Sequence, residues 1–464
     1  MGRRVSRRNF LALVSRAGLS VSGVTILKSA ASATTYQAND RLNIALVGVS
    51  GRGSWFVEAI PQIGENVVAL CDVNERRAAS AFAKFPSVPK FRDFRRMFDT
   101  VANRIDAVVV AVPDHNHAMI SYTAMSLKKH VYCEKPLTHD VWEARVLREA
   151  ADRFGVVTQM GNQGTATHAF RRGVELVQTG AIGHVHEVYV WKDSGGSGER
   201  PLPTGEQPVP DYLDWDVWLG PAAYRPFHEQ WLNWHAWRDF ATGNLGNWAS
   251  HSANMAFMGL RIDSLWHSGS EGRIRVVAEV HNRTQHAFPQ WEIVRWQIPA
   301  RGELPPVRFE WFNGAGAPGR RAHVEELMGK KLDWGDAGNK KWEDHAGCLI
   351  CGTQQKIHAT GHNSTFVLLP SGRTSEQEGP PQVLPRGGSH EREWTAACKG
   401  RGRTMSHFGY SGPLTEFLML GNVATLFPEE ELEYDPKRGE IVNHPAANAA
   451  LRRERRKGWE IGME

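Results

Sequence analysis

Cysteine is scarce. Five cysteines in 464 residues, an odd number, exclude a disulfide framework as the source of stability. Cys348 and Cys351 have CxxC spacing, but "GCLICG" reads as a buried strand, where residues three apart point to opposite faces. A redox pair or a metal clip is therefore not expected there. The two His-x-His triplets, at 115–117 and 184–186, come without an accompanying ligand set, so no metal is expected at all. Long apolar runs are missing too, so no stable membrane insertion is expected. A strong charge of one sign is also lacking. The formal +5 is concentrated in residues 1–33, where Arg3, Arg4, Arg7, Arg8, Arg16 and Lys28 face no acid, and removing those six positives leaves −1. Bulk electrostatics thus give no reason to expect a nucleic-acid partner. The basic run "RRERRK" at 452–457 reads as a solvated terminal helix face.

What is present points to a large folded protein. Hydrophobic residues make up 41% of a chain too long for one ordinary core, which suggests two domains with additions. Residues 1–33 combine an arginine pair, a mildly apolar stretch interrupted by Arg16, and a small-residue exit at Ala31–Ser32–Ala33. That layout is a twin-arginine signal peptide, implying the twin-arginine export machinery as a partner and a periplasmic or otherwise exported protein.

From Asn43 onward, continuous apolar strands alternate with helical stretches: "NIALVGV", "NVVALCD", "IDAVVVAV" and "HVYCEKP" as strands, "GRGSWFVEAI", "NERRAASAFAKF" and "HAMISYTAMSL" as helices. Strands that are apolar throughout belong to a parallel sheet covered on both faces. The expected fold is α/β: a doubly wound Rossmann domain over 40–165, an α/β domain with a large open, mainly antiparallel sheet over 166–428, and a tail over 429–464.

The first strand turn is "GVSGRG", a GxGxxG variant with Ser50 in the second glycine place and an additional Gly51. Such a turn brings free backbone N–H groups and a helix N-terminus against a pyrophosphate. Asp72, ending the second strand, suits a ribose 2′-hydroxyl; Arg76, one turn later, admits a 2′-phosphate. NAD is thus expected, with NADP open beside it. Glu134 and Lys135 end a further strand, where ligands of doubly wound folds gather, and Pro136 makes the preceding bond a candidate for the cis form. Further on, "GNWASHSAN" puts Asn247 and His251 four apart, on one helix face. Between Asp211 and Trp248 lie Trp215, Trp218, Trp231, Trp234, Trp237 and Trp248, with His235, Arg238 and Asp239 among them. Indole faces can cover the C–H faces of sugar rings, although packing under a long loop explains most of the six.

The order "GVSGRG", "CDV", "VPDHNHA", "HVYCEKP", "QMGNQG" and "SGPLTEFLMLGNVA" resembles the glucose–fructose oxidoreductase, inositol dehydrogenase and rhizopine catabolism (Gfo/Idh/MocA) family. The resemblance implies that Gly48, Ser50, Gly51, Arg52 and Gly53 cradle the dinucleotide phosphates and that Asp72 takes the adenosine ribose. It places Pro113, Asp114 and His117 along the cofactor groove, with Glu134 near the nicotinamide ribose. Lys135 matches the lysine that touches cofactor and substrate, and His251 matches the proton-accepting histidine. Asn247 and Asn254 stand where many members carry aspartate, which puts the basicity of His251 in question. Asn247→Asp is accordingly expected to raise the pKa of His251 and move the acid limb of kcat/KM to higher pH. Gln163 and Trp237 complete the expected substrate contacts, and a homo-oligomer follows from the resemblance alone.

The function expected from these features is an exported oxidoreductase that moves a hydride between a sugar or polyol hydroxyl and a tightly bound nicotinamide dinucleotide. Outside the cytoplasm free cofactor is scarce, so the dinucleotide is expected to be loaded before export and kept. The alternatives are a redox-neutral glycoside hydrolase, lyase or epimerase working through transient oxidation, and a non-catalytic sugar-binding protein.

Overall fold

The computed structural model describes residues 41–267, 272–282, 284–336, 342–372 and 379–462. Residues 1–33, read above as a twin-arginine signal, lie outside them. Residues from Leu42 onward form one compact unit. Among the described residues it is built on two sheets.

The first sheet contains β1 (Asn43–Val47), β2 (Asn66–Cys71), β3 (Lys90–Phe91), β4 (Ala107–Val110), β5 (His130–Cys133) and β6 (Thr158–Met160) in the order β3-β2-β1-β4-β5-β6. All its pairings are parallel. Helices α1 (Ser54–Gln62), α2 (Glu75–Lys84), α3 (Phe94–Val101), α4 (His117–Ser126) and α5 (Val141–Phe154) connect the strands. Ile44, Leu46 and Val109 bury into one helical layer and Ala45, Val47, Val108 and Val110 into the other, which is why these strands read as uninterrupted apolar runs. The strand order reverses between β1 and β4, and ligands of such sheets bind at that switch point.

After α6 (His168–Gln178) the chain enters a nine-stranded sheet. Its strands are β7 (Val185–Lys192), β8 (Ile274–His281), β9 (Trp291–Ile298), β10 (Val307–Asn313), β11 (Ala346–Gly352), β12 (Lys356–Thr360), β13 (Phe366–Leu369), β14 (Leu432–Asp435) and β15 (Glu440–Ile441). Only β7 and β10 pair in parallel; the other pairings are antiparallel. On β11, Cys348 faces one core and Cys351 another, as the strand period requires, and all five cysteines are free. Helices α7 (Gly243–Ser252) and α8 (Phe408–Ala424) lie between the sheets, with α8 packed on both α5 and α7. None of the described helices is long and apolar enough to cross a membrane.

The last segment departs from the expected tail. Residues 432–441 add two strands to the large sheet, and the chain then returns to the Rossmann domain. The basic run is not a solvated helix face. Arg455 donates to Glu143 at 2.8 Å and Asp140 at 3.2 Å, the Arg453 amide donates to Asp140, and the Arg453 side chain donates to the Arg238 carbonyl at 2.7 Å. Asp140 and Glu143 form the capping box that starts α5, and both are buried. Carboxylates out of water need a cation, and the guanidinium fork of arginine supplies one.

Candidate functional site

The turn after β1 shows why its glycines are glycines. Gly48 has φ +79°, and a Cβ there would sit 2.3 Å from the Ala111 carbonyl oxygen. At Gly53 a Cβ would meet the Gly48 carbonyl oxygen at 2.0 Å, so Gly53 shapes the turn from behind while its neighbours face the cleft. The short turn Gly51–Gly53 leads directly into α1, and Gly51 and Arg52 of that turn line the cleft. Asp72 closes the turn on the β2 side: it accepts from the Val49 amide at 3.1 Å, the Ser50 hydroxyl at 3.2 Å and the Asn74 amide at 3.0 Å. Burial pushes its carboxyl up, and these bonds oppose the rise. A turn with no room for side chains at Gly48 and Gly53, opening directly into a helix, fits the diphosphate of a dinucleotide.

The cleft built here is lined by Gly48, Ser50, Gly51, Arg52, Asp72, Pro113, Asp114, His117, Glu134 and Lys135, all of them expected. Arg76 is not among them. It turns away over the Tyr212 ring, 5.6 Å from its centroid, and Arg77 and Arg92 line the cleft instead. Neighbouring helix positions point about 100° apart, so an offset of one residue decides which arginine lines the cleft.

Beyond β5 the Lys135–Pro136 peptide is cis. Glu134 is buried and accepts from Arg52 at 2.8 Å and from Gln163 at 2.9 Å. Gln163 therefore serves Glu134 and does not line the cleft, contrary to its expected substrate contact. His117 holds the loops together, its two ring nitrogens lying 2.7 Å from the Pro136 carbonyl and 2.9 Å from the Val112 carbonyl. Both contacts require a donor, so the ring carries both protons. Burial alone depresses its pKa, but Cys133, Asp114 and the Pro136 carbonyl push it up to about 10. Asp114 ties this loop to the start of α7 by accepting from the Thr242 amide at 3.0 Å and its hydroxyl at 2.7 Å.

Lys135 and Asn247 meet across the two domains. The ammonium donates to the Asn247 backbone carbonyl at 2.9 Å and also to its side-chain oxygen. Burial lowers the pKa of Lys135, with Glu134 and Asp114 opposing. Asn247 is thus the partner of Lys135, and the expected ring-orienting bond to His251 is not made: His251 Nδ1 is buried without a hydrogen-bond partner. A charge-assisted bond is roughly twice as strong as a neutral one, so the lysine wins the amide. Burial, then Lys135 and His362, hold the His251 pKa well below its ordinary value. The His362 ring lies 4.7 Å from it. Asn254 is a core tie, donating to Thr165 at 2.9 Å and accepting from Tyr410 at 2.6 Å.

These contacts change what Asn247→Asp should do. The new carboxylate stabilises the Lys135 ammonium directly, so the lysine pKa rises and the alkaline limb of the rate profile moves to higher pH. A pH-rate profile that shifts only on its acid side would return Asn247 to the service of a histidine.

The tryptophan-rich segment closes the cleft. It is sewn to the Rossmann domain by the Asp214 amide donating to the Val73 carbonyl, the Glu75 amide donating to Tyr212, and a bridge between Asn74 and Leu213. Trp215, Trp218, Trp231 and Trp237 pack with Phe227 and Phe240 into a small core of their own. Trp237 is 1% exposed and donates its indole N–H to the Gln230 carbonyl, so it is packing and not a sugar platform. Val217, Trp218, Leu232, Trp234 and His235 form the outer wall of the cleft. The sequence showed the cluster but not its placement, because the strap crosses from one domain to the other. A second, smaller recess adjoins, lined by Ser194–Ser197, His235, Ala236, Gly243, Asn244, Asn247 and Phe288. No group of metal-ligating side chains occurs among the described residues.

Comparison with known proteins agrees with this geometry. The family description "Oxidoreductase family, NAD-binding Rossmann fold" (Gfo/Idh/MocA) matches residues 42–162, and that family's "C-terminal alpha/beta domain" matches 175–297, together a little over half of the chain. An inositol 2-dehydrogenase of Rubrobacter xylanophilus is 31% identical over 151 residues, covering 31% of this chain and 42% of that one. A levoglucosan dehydrogenase of Pseudarthrobacter phenanthrenivorans is 27% identical over 157 residues, covering 31% and 39%. The chain thus spans less than half the length of these curated relatives. Among solved structures, a levoglucosan dehydrogenase in complex with NADH superposes with a TM-score of 0.53 at 18% identity, covering 85% of this chain and 99% of that one. The WlbA dehydrogenase from Bordetella pertussis, solved with NADH and UDP-GlcNAcA, gives 0.54 at 16%, covering 84% and 98%. Both likenesses are likenesses of fold.

Proposed function

Because the chain belongs to the Gfo/Idh/MocA oxidoreductase family and carries its NAD-binding Rossmann domain, we propose that it oxidises or reduces a neutral sugar or polyol on a dinucleotide it keeps. The observation that carries this reading is Lys135, which lines the dinucleotide cleft while bonded to Asn247, a residue that also lines the adjoining recess. A nicotinamide held in the cleft would supply the acceptor, or in reverse the donor, for a carbon-bound hydrogen and its electron pair. Gly48, Ser50, Gly51 and the amides opening α1 would hold the phosphates, Asp72 the adenosine ribose, and Glu134 the edge nearest the ring. Lys135 donates to the reacting oxygen and holds it in place, a positioning role. The recess offers hydroxyls from Ser194 and Ser197 and amides from Asn244 and Asn247, with no carboxylate, ammonium or guanidinium among its lining residues. That set suits an uncharged polyhydroxylated compound, and the dehydrogenases for inositol and levoglucosan among the relatives fit it better than the glucose-6-phosphate 3-dehydrogenase does.

Retention of the cofactor is supported by the tryptophan strap, which must part from Val73, Asn74 and Glu75 before a dinucleotide could leave sideways. Export through the twin-arginine pathway, carried by residues 1–33, belongs to the same proposal and gives retention its purpose. Assembly into a homo-oligomer through the large sheet is part of it too, and the solution mass reads it. Adding myo-inositol, levoglucosan and glucose to the purified protein should raise the absorbance of reduced nicotinamide with at least one of them, and glucose 6-phosphate should not. Free sugar released from a glycoside with no net absorbance change would select the redox-neutral course, and silence toward every compound would leave only a binding protein.

A further inference from the structure

The dinucleotide cleft has two banks, and the C-terminal arm touches both. On one bank stands the short strap helix Trp215–Leu219, whose Val217 and Trp218 line the cleft. On the other stands α3, whose first residue, Phe94, lines it too. The strap meets the Rossmann domain at Val73, Asn74 and Glu75, and the Asn116 amide group donates to the Trp218 carbonyl at 3.0 Å. The end of the strap helix is held by the arm. Arg456 donates from Nε to the Gly220 carbonyl at 2.9 Å, from Nη2 to the Asp216 carbonyl at 2.8 Å, and from Nη1 to the Asp216 carboxylate. Its backbone amide donates to the Pro221 carbonyl at 3.0 Å. The last carbonyls of a helix lack partners within it and form its negative end, so a guanidinium suits them. Three residues on, Trp459 is buried against Phe94, with ring centroids 6.2 Å apart and the Arg95 guanidinium 4.4 Å from the indole. The arm is anchored on either side of these contacts. Arg455 binds Asp140 and Glu143, and the Gly462 carbonyl accepts from the Tyr122 hydroxyl at 2.6 Å.

We propose that residues 453–462 staple the dinucleotide cleft shut, and that Arg456 is the positioning residue whose release lets the dinucleotide exchange. This assignment rests on the retained-dinucleotide reading given above. The strap can swing off the cleft in two ways: its helix end leaves the arm, or it carries the arm with it. Carrying the arm pulls Trp459 from Phe94 and Arg455 from two buried carboxylates, which strands charge out of water. Parting from the arm breaks only the contacts of Arg456, and its carboxylate partner Asp216 is 62% exposed and readily hydrated. The joint between Arg456 and the strap helix is therefore where the cleft opens. The strap keeps its own small core of Trp215, Trp218, Phe227 and Phe240 as it moves. A dinucleotide behind such a joint stays through many turnovers and is replaced only when the joint parts.

The experiment follows dinucleotide exchange in the full chain as purified, by native mass spectrometry after isotopically labelled NAD is added. The wild type should exchange slowly. Arg456→Gln removes the cation and its fork, and should exchange at least about tenfold faster, the worth of one hydrogen bond to a charged group. Asp216→Asn alters only an exposed carboxylate and should give a smaller acceleration. The double variant should exchange no faster than Arg456→Gln alone, because both changes break one joint. After gel filtration Arg456→Gln should have lost dinucleotide, and it should regain it when NAD is supplied. Amide hydrogen exchange gives a reading independent of the cofactor. The Asp214 and Trp218 amides, which donate to Val73 and Asp214, should lose protection in Arg456→Gln while those of β1 and β4 keep theirs. Unchanged dinucleotide exchange in Arg456→Gln, or protection lost equally from strap and sheet, overturns the assignment. A wild-type protein that holds no dinucleotide, or exchanges it as fast as mixing allows, overturns the retention reading itself.

Discussion

Lys135→Met is expected to slow reduction of the bound dinucleotide by about 10²–10³-fold, the cost of removing one preorganised donor from a developing oxyanion. Methionine keeps most of the length of the side chain and fills its space, so the loss should fall on kcat more than on KM. The dinucleotide should stay bound, because Gly48, Ser50, Asp72 and the start of α1 are independent of the lysine. Some stability should go as well: the two Asn247 oxygens that accept from Nζ would be left without their donor, at about 1–3 kcal/mol for a buried group. Arginine should not rescue the rate, since its planar fork cannot replace a compact ammonium between the Asn247 oxygens and a substrate hydroxyl. Single-turnover absorbance with a dinucleotide assay on the same sample separates these effects. A Lys135→Met protein within threefold of wild type would remove the lysine from the chemistry.

Gly48→Ala is expected to empty the cleft. The left-handed backbone at φ +79° costs a non-glycine residue about 1–2 kcal/mol, and the new Cβ would lie 2.3 Å from a main-chain oxygen of the strand loop opposite. Neither partner is a flexible side chain, so the turn itself must shift. A misplacement of about 1 Å is worth roughly 10²-fold where position decides the outcome, and here the misplaced atoms are the ones that would meet the phosphates. The purified variant should carry no dinucleotide and bind added NAD at least about 100-fold more weakly, with its circular dichroism unchanged. A variant that purifies with a full complement would show that the turn does not hold the diphosphate.

The first of these residues was legible in the sequence for a local reason, and so was the second. A parallel sheet buried on both faces leaves apolar runs, its turns fall at the strand ends, and ligands gather there, so "GVSGRG" and "HVYCEKP" could be placed without coordinates. The function of Asn247 could not, because it depends on what a distant segment does. Asn247 and His251 do share a helix face, as their spacing requires, but an ammonium from the loop after β5 claims the amide first. Trp237 and Trp234 look alike in sequence; only the path of the strap puts one in a small core and the other on the cleft wall. Arg76 and Arg77 differ by one step of a helix, and the basic run at 452–457 looked solvated because its carboxylate partners, Asp140 and Glu143, lie some 300 residues earlier.

Native mass spectrometry of the protein as purified, before any ligand is added, tests the central claim most directly. The predicted result is a folded chain carrying one nicotinamide dinucleotide, which a neutral polyol then converts to the reduced form without its leaving the protein. A folded chain that carries no dinucleotide, and takes up none when NAD is supplied, would contradict it.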